Sequence, residues 1–205
     1  MSLTIEKCCT SLLQVQQAID RGASRVELCR NIEVGGLTPP SALIRDAVLA
    51  GIPVNVLVRP RAGNFIYSPE EVRQMKESIR ECRLLGASGV VIGALTAEGD
   101  IDMSVMQDLV GVAKEGSRLS VTFHRAFDEA ADPFKALEEI ISLGCDRLLT
   151  SGQMPTAFQG RELIRELVMR SAGRITVMAG AGITPENVSD IASYCGVSEC
   201  HGTKL

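Results

Sequence analysis

A (β/α)8 barrel, the TIM-barrel form of the α/β class, is what this 205-residue sequence predicts, over residues 1–205 as a single domain. Three features predict it. A strand, a loop and a helix with period near 3.6 follow one another until eight strands have accumulated. The breaks before strands are near copies of one another: DRGASRVELC (20–29), LLGASGVVIG (84–93) and SLGCDRLLTS (142–151). Each puts a glycine just past a helix, where a left-handed cap is needed. Finally, nearly every strand ends in polar residues, as the functional rim of such a barrel does.

The strands read as 3–8, 25–29, 53–59, 89–93, 119–124, 146–150, 174–179 and 197–201. Between them lie helices near 11–21, 41–50, 69–85, 103–115, 133–143, 160–171 and 185–194. SPEE (68–71), ADPF (131–134) and ITPEN (183–187) place proline at or near a helix start, where its missing N–H costs nothing. The chain stops at HGTKL, so the eighth helix is expected to be short or missing. Parallel strands are normally covered on both faces, which leads to the expectation of a homodimer.

Composition excludes several roles. The net charge is −4 and no basic tract exists, which argues against nucleic acid as the partner. Aromatic residues make up 3% and tryptophan is absent, which removes stacking platforms for single strands. No apolar run reaches the ~20 residues that span a bilayer, and the N-terminus lacks the pattern of a signal peptide. A cytoplasmic location is therefore expected, with no membrane partner. The seven cysteines are odd in number and form no CxxC pair, so they read as free thiols.

Chemistry is expected at the strand ends. IEKCC puts Glu6 and Cys8 on one face, and VELC repeats the pairing with Glu27 and Cys29. VRPRAG brings Arg59 and Arg61, TFHRAFD brings His124 with Arg125 and Asp128, and ECHGT brings Cys200 and His201. Two readings follow. Cys8 and Cys29, with a histidine nearby, suit a soft ion such as Cu(I). Alternatively, the glycines of MAGAGIT (Gly180, Gly182) and of HGT (Gly202) form an anion pocket, and Arg59 and Arg61 hold a second anionic group. A small metabolite bearing phosphate or carboxylate would then meet His124, Glu27 and Asp128 as acid–base groups, with His124 near Glu27 and Arg59.

ELCRNIEVGGLTPP (27–40), LVRPRAGNFIYSPEE (57–71), GVVIGALTAEGDID (89–102), VTFHRAFDEAADP (121–133), RLLTSG (147–152), MAGAGIT (178–184) and the closing HGTKL together resemble the CutC family of copper homeostasis proteins. The resemblance runs over nearly the whole chain. It implies a TIM barrel, a cytoplasmic location and copper binding. By their flanking residues, Cys8 and Cys29 match the two family cysteines proposed to hold Cu(I).

Overall fold

The computed structural model of the protein describes residues 3–116 and 119–205. Its elements are β1 (Thr4–Cys9), α1 (Leu12–Asp20), β2 (Arg25–Leu28), α2 (Ser41–Leu49), β3 (Val54–Leu57), α3 (Pro69–Leu84), β4 (Gly89–Ile92), α4 (Met103–Lys114), β5 (Ser120–Phe123), α5 (Pro133–Ser142), β6 (Arg147–Thr150), α6 (Arg161–Ser171), β7 (Thr176–Ala179), α7 (Val188–Cys195) and β8 (Glu199–Gly202). The eight strands form a closed parallel barrel in sequence order. Closure is made by β8 against β1, where Thr4 lies beside Glu199 and Lys7 beside Gly202.

Helix starts follow from side-chain chemistry. Ser68 and Glu71 cap one another's backbone at the start of α3, with Pro69 in the first turn. Asp132 accepts from the amides of Phe134 and Lys135 to begin α5. The helix α7 begins at Val188, three residues later than the sequence suggests, because the Asn187 side chain accepts from the Thr184 amide and holds 184–187 as a turn.

Period-two alternation divides each strand between two environments. Outward residues such as Val26, Leu28, Val56, Val90, Phe123 and Leu148 pack under the helices in one apolar layer. Cys9 and Cys200 belong to that layer. Lys7 also faces away from the interior and donates to the Leu205 carbonyl. The interior differs from the usual aliphatic filling of this fold. Its lower layer is ionic: Glu6 meets Arg25 at 2.5 Å and accepts from Asn55 at 2.8 Å. Arg25 continues to Glu199, which also meets Arg147 at 2.9 Å. Glu6 is wholly buried. Burial would push its carboxyl up, but the hydrogen bond and charge of His201 and the Arg25 guanidinium outweigh it and hold the group at about 2.

Candidate functional site

Above the ionic layer the barrel opens into a cavity of about 790 Å³. Cys8, Glu27 and His201 form its floor, and the strand register puts them there. Cys8 lies opposite Glu27 across β1–β2, and Glu6 opposite His201 across β8–β1. All of these side chains point inward. One ligand atom from each of Cys8, Glu27 and His201 falls within 4.8 Å of the others. Cys29 follows directly after β2, tied by its amide to the Cys9 carbonyl at 3.0 Å. The sulfurs of Cys8 and Cys29 are 3.5 Å apart and in hydrogen-bond contact. Leu57 and Val91 pack with the two thiols as a small apolar cluster inside the barrel.

The electrostatics of this floor are coupled. His201 Nδ1 lies 2.9 Å from Glu6 and 3.9 Å from Glu27. Burial opposes a charge on His201, yet the Glu27 and Glu6 carboxylates raise its pKa above the ordinary imidazole value. Burial pushes Glu27 up to about 7, against the pull of His201. Glu27 Oε2 has no hydrogen-bond partner, although the residue is only 5% exposed. The Cys8 thiol is pushed far above its usual range by its hydrogen bond with Cys29, by burial and by the Glu27 charge. The floor thus offers two soft donors, one imidazole and one carboxylate oxygen without a partner, and Cys8 must lose a proton to act as a ligand.

The other predicted residues divide. Arg59 lines the cavity but its guanidinium is committed to backbone: Nη1 donates to the carbonyls of Val34 (2.9 Å) and Gly36 (3.2 Å), and Nη2 to Gly63 (2.7 Å). Arg61 does not line it. Arg61 turns outward to Glu71 at 2.6 Å and to the carbonyls of Asn64 and Ile66, because the strand has ended and the α3 cap supplies a carboxylate. Gly182 and Gly202 line the cavity while Gly180 does not, being packed so closely that a Cβ there would meet Leu149 at 2.5 Å. Asp128 lines the wall, with both oxygens occupied. It accepts from Thr150, Ser151 and the Gln153 amide and pairs with Arg125 at 2.8 Å. It braces the β5 and β6 loops against each other, and no lone pair is left aimed at a proton to be moved.

His124 departs furthest from expectation, since it does not line the cavity. Its ring fills the space left by Gly93 on β4's end and lies 4.9 Å from the Phe65 ring. The Ala126 amide donates to Nδ1, which leaves the proton on Nε2, a buried nitrogen with no partner. Burial, helped by the Arg59 charge, lowers its pKa to about 3. A Cβ at position 93 would meet the imidazole at 2.6 Å. Gly93→Ala is therefore expected to lower stability by about 1–3 kcal/mol in urea unfolding, the usual cost of overpacking. An unchanged midpoint would show that the ring moves aside freely.

The buried neutral imidazole also has a pH signature. Its pKa falls from 6.5 in the unfolded chain to about 3 in the fold. As pH drops below 6.5 the unfolded chain takes up a proton that the fold refuses, so this contribution to stability is present above 6.5 and lost downward to about 3. Glu27 and His201, whose values are raised, act in the opposite direction. The informative quantity is the wild type compared with His124→Gln. Between pH 6.5 and 5 the wild type is expected to lose roughly 2 kcal/mol more than the variant. Parallel pH profiles would place a charged histidine in the fold.

Sequence reasoning put His201 at the rim as one of two histidines that could stand beside the thiols, and it named no partner for Glu6 or Arg25. The signal lay in β8, where Glu199 and His201 alternate inward, and in the closure that sets His201 beside Glu6.

Comparison with known proteins is consistent along the chain. A model described as the CutC family matches residues 3–205. A CutC family protein of Pasteurella multocida is 48% identical over 200 residues, 97% of this chain and 81% of that protein. One from Bacteroides thetaiotaomicron is 49% identical over 198 residues, 96% of this chain and 78% of that protein. A crystal structure from Streptococcus agalactiae that carries the name copper homeostasis protein CutC aligns with a TM-score of 0.93 at 34% identity, covering 98% of this chain and 99% of that one. A 2,3-dimethylmalate lyase structure aligns with a TM-score of 0.74 at 14% identity, covering 98% of this chain and 76% of that one; this likeness is one of fold alone.

Proposed function

Since the chain belongs to the CutC family, we propose that it serves copper homeostasis by binding Cu(I) as cargo at the floor of the barrel, and that it does so in the cytoplasm. The observation that carries this reading is the pair of buried sulfurs 3.5 Å apart, Cys8 on the cavity floor and Cys29 just past β2 beside it. At that separation both can reach one ion at the roughly 2.3 Å of a metal–thiolate bond. Two thiolates with an imidazole beside them suit a soft monovalent ion, and the apolar cluster of Leu57 and Val91 keeps water from one side of it. His201 and the unpartnered Glu27 oxygen lie within 4.8 Å of Cys8, in a group that does not take in Cys29; His201 would join the ion through the Cys8 side, and Glu27 supplies negative charge or takes up a released proton. No helix of the described residues is long and apolar enough to cross a membrane, which agrees with a cytoplasmic location.

The test is anaerobic Cu(I) competition against a chromophoric chelator, with X-ray absorption to count the sulfur neighbours of bound copper. One ion per chain with two sulfur neighbours is expected. Zinc held more tightly than Cu(I), or copper with no sulfur neighbour, would overturn the reading.

A further inference from the structure

The cavity is far larger than one ion requires, and its upper walls hold two cations, Arg59 and Lys204, that the thiol floor does not explain. At the β3 end stands Arg59, 6% exposed; its Nη atoms donate to backbone carbonyls, but its charge has no carboxylate partner among the described residues and its Nε has no hydrogen-bond partner. Every other buried arginine-scale charge inside the barrel is matched, as Arg25 is by Glu6 and Glu199. Directly across the ring, after β7, Ala181 and Gly182 both adopt left-handed backbone (φ 72° and 71°). For alanine this is a strained conformation that the surroundings must hold. It is held by the Ala181 carbonyl accepting from Ala157 at 3.0 Å and the Gly182 carbonyl accepting from Asn187 at 2.9 Å. Each trans peptide points its N–H opposite its carbonyl, so the following amides of Gly182 and Ile183 face away from these partners. Neither they nor the Ala181 amide finds an acceptor among the described residues. Gly202, Thr203 and the exposed Lys204 continue the same wall from β8.

We propose that the cavity binds a small phosphorylated carboxylic acid, its phosphate cradled by the amides of 181–183 and Lys204 and its carboxylate facing Arg59. Successive free amides in a concave turn with a cation beside them suit a tetrahedral oxyanion. A second negative group then compensates the buried guanidinium across the barrel. Of the carboxylates on or beside the lining, Asp128 is matched by Arg125 and Glu27 faces His201, while Glu129 is exposed to solvent at the rim and Glu186 lies near Lys204. A cavity of this size is in the range of metabolite sites. The site shares the cavity with the proposed copper floor but uses none of its ligands, so the two stand or fall separately.

The experiment is calorimetric titration of the full chain with 3-phosphoglycerate, glycerol 3-phosphate, succinate and inorganic phosphate, with Cu(I) affinity measured in parallel. We expect 3-phosphoglycerate to bind, glycerol 3-phosphate to bind more weakly for want of a carboxylate, and Lys204→Glu to weaken both by about tenfold or more. Lys204→Glu should leave Cu(I) affinity at the wild-type value. Absence of binding by both phosphorylated probes at low-millimolar concentration would overturn the proposal. So would succinate binding as tightly as 3-phosphoglycerate, or affinities untouched by Lys204→Glu.

Discussion

Cys29→Ser is expected to lower Cu(I) affinity by more than about 100-fold while leaving the barrel folded. A lost outer-shell partner of a metal ligand typically costs 10–100-fold, and loss of a ligand costs more. Here the loss is of a soft donor already in contact with the other thiol at 3.5 Å. Serine is close to isosteric, so the packing with Leu57 and Val91 survives in outline. The hydroxyl is a hard, weakly acidic donor that Cu(I) does not favour. Cys8→Ser should behave alike, and the double variant should add little to either single one, because two-sulfur binding is lost in each. Cys9→Ser is the internal control. That thiol faces the helix layer, and its loss should leave affinity unchanged. If Cys29→Ser binds as tightly as wild type, the thiol pair is not the site. The measurement is anaerobic chelator competition, accompanied by circular dichroism to show an intact fold.

Glu6→Gln is expected to cost about 3–5 kcal/mol, a large fraction of the 5–15 kcal/mol by which a domain is stable. Glu6 is wholly buried and serves Arg25, Asn55 and His201 at once. An amide turns an acceptor into a donor facing a guanidinium and leaves Arg25 short of a countercharge. The midpoint of urea unfolding should fall at unchanged m-value. Removing both charges together, as Glu6→Leu with Arg25→Met, should recover part of the loss, since Glu199 keeps Arg147. A change below about 1 kcal/mol for Glu6→Gln would mean that water, not Arg25, stabilises this carboxylate. The same group has a pH consequence. With its value lowered from 4.5 to about 2, its contribution is present above 4.5 and lost as pH falls toward 2.

The positions of strands and helices were legible because each boundary has a local chemical cause. Gly22, Gly86 and Gly144 end helices in left-handed conformation, and the Ser68–Glu71 box starts one. The proximity of the two thiols was legible for a similar reason: IEKC and VELC put sulfur two residues after a carboxylate on neighbouring strands, and period two carries both to one face. The fates of His124, Arg61 and Gly180 were not legible, because none is decided by its own segment. His124 turns away from the cavity since Gly93, just past a different strand, leaves room beside Phe65. Arg61 leaves the rim since Glu71, in the following helix, claims it. Gly180 is closed in by Leu149 of β6. His201 gains its part from the closure of β8 on β1, a contact between opposite ends of the chain.

The ionic layer of Glu6, Arg25, Glu199 and Arg147 has a consequence for traffic. It plugs the barrel beneath Cys8 and Cys29, so the molecule is a cup and not a pipe. Among the described residues, the opening that leads to the thiols passes Arg59, Asp128 and Thr203, at the face where the loops after the strands gather. Delivery and collection therefore share one doorway. If copper is the cargo proposed above, its donor and its acceptor must use that doorway in turn, and any molecule lodged in the upper cavity stands in the path of both.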